Sequence, residues 1–497
     1  MRIPFPERIA IDGVAIFAAL LFIVQLAEGT HLYFSAGSAA FLVIAALAFN
    51  AAGGLTRASG AYVFFYSVLV VVLGLGYKAL LGEPADSNLR DPQTTIAVYV
   101  AGIAVMFLAV TISRRLSRRR GLLQDLLPES DMYRSCVGCM VFGIGGAYLI
   151  SVFDTNGATI NKAFTQLNQL LPMGIILGVI YEVRRSGGTR SVNLPVALAM
   201  AYSFFFGVVT LSKQGMLTPL YCWFIPVCAL RFRLSILQLT SCLLGVVIVF
   251  QYLVPYSQYG RRFVGGNAST SQRLDLAVRL LSHPERTRQL YLANQTPADV
   301  GAHYFNSSEG FWDRLNFIAV DDSLVDLTDR GSIYGFAPIA QSFVNAVPHF
   351  ILPNKPTLNF GNTYSHELGG ISEDDTTTGI SYSPTSEAYH LGKWMGLLVA
   401  APLIWLLLFV VLDSLLGDIR TTPWGLLALA LISHLAPEGG VTGAIYLLTF
   451  GSAIFIFCAL FAKWVAPTFA MLVLGRDRRR AQRQSILLPA LAPRVER

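Results

Sequence analysis

Charge is what this chain has least of. Of its 497 residues only 13% are Asp, Glu, Lys or Arg, while 54% are hydrophobic. A soluble protein carries about 25% charged residues, so a string of water-soluble domains is excluded, and a disordered chain with it. Cysteine is scarce as well. All six (Cys136, Cys139, Cys222, Cys228, Cys242, Cys458) lie inside apolar runs, which excludes a disulfide scaffold. Cys136 and Cys139, spaced C-x-x-C within such a run, read as packing rather than redox or zinc chemistry. No glycine-rich phosphate loop ends in Lys and Ser or Thr, so ATP-driven work is not expected. No His-Glu-x-x-His is present to hold zinc. No small-residue cleavage site follows the basic start and first apolar stretch, which therefore read as a retained helix.

What is present is apolar sequence in blocks of bilayer-crossing length. Runs lie near 10–26, 36–52, 60–82, 94–113, 135–153, 165–182, 192–211, 217–230, 235–253, 392–412, 423–437 and 441–463. Helices alone close their own backbone hydrogen bonds in lipid, and membrane strands would show alternation instead. The expected fold class is an all-α polytopic membrane protein of about 12 spans, the eighth and eleventh short. Residues 1–253 hold nine spans, 254–390 a large external loop, 391–463 three more spans, and 464–497 a basic tail. Arg2, Arg57, the Arg114–Arg120 cluster, Arg184, Arg185, Arg190, Arg231, Arg233, Arg420 and the tail fall on alternate connections. By the positive-inside rule both termini are then cytoplasmic. The net charge of +7 is accounted for by an anionic inner leaflet, with no need of nucleic acid.

The 254–390 loop is polar but not disordered in composition. Leu274, Ala277, Val278 and Leu281 make one helical face, Phe311, Leu315, Ile318 and Ala319 another, and Ile333 to Val347 is nearly apolar. These are expected as short interfacial helices roofing the external mouth of the bundle. Arg286, Arg288 and Asp326 read as solvated, and most external histidines as exposed. Glu373, Asp374 and Asp375 read as a hydrated acidic turn. Arg261 and Arg262 stand just beyond a span, where paired guanidinium forks either grip a lipid phosphate or anchor a helix end. Lys213, the cation of a short outward hairpin, has the same two readings.

The densest stretches are VPHFILPNKP, Val347 to Pro356, and GISYSPTSEAYHLGKWMG, Gly379 to Gly396. With Arg314 in DRLNFI, they resemble the external-loop elements of bacterial oligosaccharide repeat-unit polymerases of the Wzy type, the O-antigen polymerase family. The elements are an Arg-led helix, a Pro-rich segment closing on Lys355 and Pro356, and a Glu-x-Tyr, Glu387 and Tyr389, followed by Gly392 and Gly396. Four positions depart from the family pattern. His349 stands for an Arg, Leu352 for an aromatic, Ser386 for a Gly, and Lys213 for the Arg of a related element.

The resemblance implies a GT-C-like glycosyltransferase of the bacterial inner membrane. Its substrate would be an undecaprenyl-diphosphate-linked oligosaccharide, with a chain-length regulator and a flippase as further partners. Such chemistry needs a cationic cradle for the diphosphate and a base for the acceptor hydroxyl. Lys213, Arg261, Arg262, Arg314 and Lys355 are the cradle candidates, with His349 and Tyr389 as further substrate contacts. Glu387 or His390 is the base: the motif favours the first, a pKa near neutrality the second. A rigid turn at the membrane edge is the other reading of Lys355 and Pro356. No cofactor is implied. No metal is expected either, since the first external loop, Glu28 to Ser35, lacks an acidic pair. A ligase passing finished glycan to a lipid acceptor is the alternative, and a flippase the more distant one.

Overall fold

The computed structural model describes residues 1–153, 165–261, 263, 270–293, 303–307, 312–347, 351–352, 355, 359–371, 374–375 and 379–474. Every apolar run lies in a helix, and among the described residues the one β-type contact is an isolated bridge between Tyr382 and Gly439. Among the described residues six helices are long and apolar enough to cross a membrane: Leu32–Ala52, Ala58–Leu80, Pro92–Leu116, Ile236–Arg261, Pro384–Leu416 and Gly440–Met471. Even the shortest, of 21 residues, extends about 32 Å against a hydrocarbon core of roughly 30 Å. Ile11–Ala27 and Leu194–Val209 are shorter apolar helices. Glu129–Phe153, Leu170–Arg185, Lys213–Ala229 and Pro423–Glu438 occupy the remaining runs. The chain is a helical membrane protein.

Several helices start by one device, a polar cap followed by proline in the first turn. Asp91 accepts from the Thr94 amide before Pro92, Ser383 from Ser386 before Pro384, and Thr422 from Gly425 before Pro423. Close packing relies on small residues where backbones meet. A Cβ on Gly138 would lie 2.1 Å from the Ala466 carbonyl oxygen.

Alternate connections gather at one end of the bundle. There Leu55 N–H donates to Pro6 O and Leu123 N–H to Leu415 O. Arg57 reaches Arg119 O at 3.1 Å, and Arg420 pairs with Glu7 at 2.6 Å. These are the connections that carry the arginines. At the other end sit the described parts of the remaining connections and of the 254–390 loop, where His31 meets Asp86 and Lys78 meets Tyr304.

That loop is not a uniform roof. Helix Ile318–Asp329 is buried along most of its length and packs against the Pro92 and Pro384 helices. Two adjacent carboxylates fix it. Asp321 accepts from Tyr99 Oη at 2.7 Å, Ser383 N–H at 2.9 Å and Ser386 Oγ at 2.6 Å. Asp322 accepts from Arg90 N–H at 2.5 Å, Asp91 N–H at 3.1 Å and Thr95 Oγ1 at 2.9 Å. Buried carboxylates are tolerated when fully partnered in this way. Burial pushes the Asp321 carboxyl up, and it pushes Asp322 up to about 6 although three donors pull the other way. Asp326, expected in solvent, is buried and paired with Arg330 at 2.9 Å. Helical spacing reveals an apolar face but not whether headgroups or protein cover it; here protein does.

Upstream, Lys78 pins the stretch 303–307. Its Nζ donates to Ser87 O and Tyr304 O, both at 2.6 Å, and lies 3.9 Å from the Tyr304 ring centre. Helix Thr270–Leu281 buries Leu276 and Ala277 beside Val208, Leu211 and Tyr256. Leu274 and Val278 of its expected inner face are exposed instead. The buried face is the one turned to the Leu194–Val209 helix and to the 254–261 end of the Ile236 helix.

Candidate active site

The motif after Gly379 enters the bundle as the first half of helix Pro384–Leu416. That half ends where the backbone breaks, at Gly392 and Lys393. Gly392 is merely extended, but Lys393 has φ 49°, the left-handed region that costs a residue with a side chain about 1–3 kcal/mol. Thr385 to Leu391 are all buried, so a short polar helix is held inside the mouth.

Glu387 is 2% exposed, and its carboxylate is held from two directions. Tyr364 Oη donates to it at 3.2 Å. Thr442 donates its backbone N–H at 3.1 Å and its hydroxyl at 3.3 Å. Thr442 lies in the first turn of helix Gly440–Met471, so the carboxylate also meets the positive end of a helix. Gly440 makes this approach possible. It has φ +63°, and a Cβ there would lie 2.0 Å from Glu387 Oε2.

The carboxylate opens onto a cleft of about 370 Å³, within the range of small-molecule sites. Tyr364, Asn359, Tyr446, Thr442 and a second acid, Glu438, line it with Glu387. Glu438 pairs with His434 at 3.3 Å. Among the described residues no Lys or Arg lines the cleft, yet one cation reaches its wall. Lys355 Nζ donates to the carbonyl of Asn345 at 2.7 Å, and Asn345 lines the cleft.

His390 occupies a different position. Its side chain is fully buried and absent from the cleft lining. Thr328 spends its hydroxyl proton on Leu324 O at 2.7 Å. The 2.9 Å contact from Thr328 Oγ1 to His390 Nδ1 is therefore donated by the imidazole. That leaves Nε2 facing Glu367 Oε2 at 3.4 Å without a hydrogen bond of its own. Burial pushes the Glu367 carboxyl up. The ring packs edge-on against Tyr364 at 5.0 Å, the residue that holds Glu387. The imidazole supports the tyrosine from behind.

The other expected site residues divide into groups. Tyr389, two residues and about 200° round the helix from Glu387, donates to Asp329 at 2.7 Å. It lines a separate polar cleft with Lys393 and Trp394. Arg261 and Lys213 are brought together. Arg261 Nε donates to Leu211 O at 3.0 Å, at the turn where Ser212 caps helix Lys213–Ala229. Both are exposed and outside the cleft lining. Arg314 ends the turn Trp312–Arg314. Arg262, His349, Pro348, Pro353 and Pro356 lie outside the described residues. Tyr364, Glu438 and Thr442 were missed from sequence. Only Glu438, an acid closing an apolar run before Gly439 and Gly440, carried a visible signal. Compared with protein-family models, with curated proteins and with solved structures, the chain matches none.

Proposed function

We propose that this protein is a bacterial inner-membrane glycosyltransferase, with both termini cytoplasmic and the cleft on the periplasmic side. It joins lipid-diphosphate-linked oligosaccharide repeat units into O-antigen or a related surface polysaccharide. The observation that carries the reading is the buried carboxylate of Glu387 on the cleft, within the motif that resembles the polymerase elements. In this reading Glu387 takes the proton of an acceptor sugar hydroxyl. That oxygen bonds to the anomeric carbon of the growing chain as the bond to the lipid diphosphate breaks. The departing diphosphate carries its charge away, so neutralisation by cations matters more than protonation. Lys355 at the cleft wall is one candidate, and Lys213 with Arg261 forms a second cationic patch for the carrier headgroup. Glu387 accepts hydrogen bonds from Tyr364 and Thr442, which orient it at the cleft, and His390 is a positioning residue behind Tyr364.

The glycan profile of cells lacking the protein tests this directly. Single repeat units on the lipid anchor are the expected product. Absence of transferred glycan of any length would replace the reading with a ligase or flippase.

A further inference from the structure

Helix Ile236–Arg261 has the length and hydropathy of a span, yet only 6% of its apolar window is buried. No side chain of its first half, Ile236–Ile248, is buried at all. Between it and the Leu194–Val209 and Lys213–Ala229 helices lies a groove of about 750 Å³ that shares no lining residue with the Glu387 cleft. Gln238, Ser241, Cys242, Gly245 and Val249 line it from one side of the Ile236 helix, at helical spacing. Met200, Phe204 and Leu220 make the opposite wall. An apolar gap left unfilled forfeits the dispersion contacts of both walls, so a groove open to a bilayer takes up lipid.

Two features say which lipid. From Gln238 to Val249 the lined stretch rises about 16 Å, close to half of a hydrocarbon core of roughly 30 Å. The groove is one leaflet deep. Its one cationic lining residue among those described is Arg190, beside Thr189 and Ser191 at the mouth. That mouth is at the end of the bundle where the arginine-bearing connections gather, opposite the end that carries the cleft. Trp223 Nε1 donates to Ser191 Oγ at 3.1 Å and keeps this connection folded over the mouth.

We infer that the groove binds an anionic phospholipid of the leaflet at the Arg190 end, its phosphate on the Arg190 guanidinium and an acyl chain along the Ile236 helix. Guanidinium forks suit phosphate oxygens. The site stands apart from the proposed polymerisation chemistry and does not depend on it.

The test uses the full chain in nanodiscs of equal parts phosphatidylglycerol and phosphatidylcholine, followed by mild detergent extraction and native mass spectrometry. The wild type is expected to retain phosphatidylglycerol preferentially. Arg190→Ala should reduce that preference about tenfold, the loss of one charge-assisted contact. A Cβ at Gly245 meets no atom within 4 Å, so Gly245→Trp places an indole in the groove and should lower retention of lipid of either kind. Leu198→Trp, at an exposed position outside the groove, should leave retention as in the wild type. Equal retention of both lipids by the wild type would overturn the inference. So would unchanged retention in Gly245→Trp, or displacement of phosphatidylglycerol by added undecaprenyl phosphate.

Discussion

Two helices at opposite extremes of packing frame this molecule. Ile318–Asp329 looks polar in sequence, with acids at 321, 322, 326 and 329, yet it is buried and its Asp321 and Asp322 carboxylates each accept three hydrogen bonds. Ile236–Ile248 is almost wholly apolar, yet none of its side chains is buried. In a membrane protein apolar sequence alone does not decide which helix is buried in protein, because lipid already satisfies apolar side chains. The tight region encloses the cleft; the loose one borders a groove. The role proposed for Glu387 would require such fixed neighbours, whereas the role inferred for the groove would not.

The contrast can be broken most strongly at Asp321. Asp321→Ala leaves the donors of Tyr99 and the Ser383 amide unpaired, and each buried orphan costs roughly 1–3 kcal/mol. A stability loss of about 3 kcal/mol or more is expected, seen as a lower unfolding midpoint in detergent and faster proteolysis of the 318–347 region. Gly440→Ala comes next. It adds left-handed strain of roughly 1–3 kcal/mol and pushes on Glu387, so both stability and activity should fall, activity further. His390→Gln should lower activity less than tenfold and leave the pH–rate profile in place, because the imidazole acts through Tyr364. A displaced profile would instead give the base role to His390. The smallest effect belongs to the loose region. Leu244→Ala, at a side chain 61% exposed, should change the unfolding midpoint by no more than about 0.5 kcal/mol equivalent.

Much of the architecture was legible because its signals are local. Apolar runs, caps such as Ser383 before Pro384, and arginines on alternate connections each lie within a few residues, and the helices and the two ends of the bundle follow them. Glu387, singled out by a motif of the same kind, lines the cleft. The burial of the Ile318 helix was not. Nothing local marks Asp321 and Asp322 as buried, because their partners, Tyr99, Thr95 and Ser383, are distant in sequence. Tyr364 and Glu438 join the cleft by the same long-range convergence. His390 read as a neutral-range base on residue type alone, and its burial behind Tyr364 is a tertiary fact.

The central claim is that the Glu387 cleft is where glycan is transferred, and one substitution isolates it. Glu387→Gln keeps the size of the side chain and an acceptor for the Thr442 amide but cannot take a proton. In purified, reconstituted protein supplied with lipid-linked repeat units, this variant should keep the wild-type unfolding midpoint and still bind substrate. It should lose chain extension by more than about a hundredfold, the usual weight of a general base. Extension within twofold of wild type at equal protein would contradict the claim and leave Glu387 as a cap on the Gly440–Met471 helix.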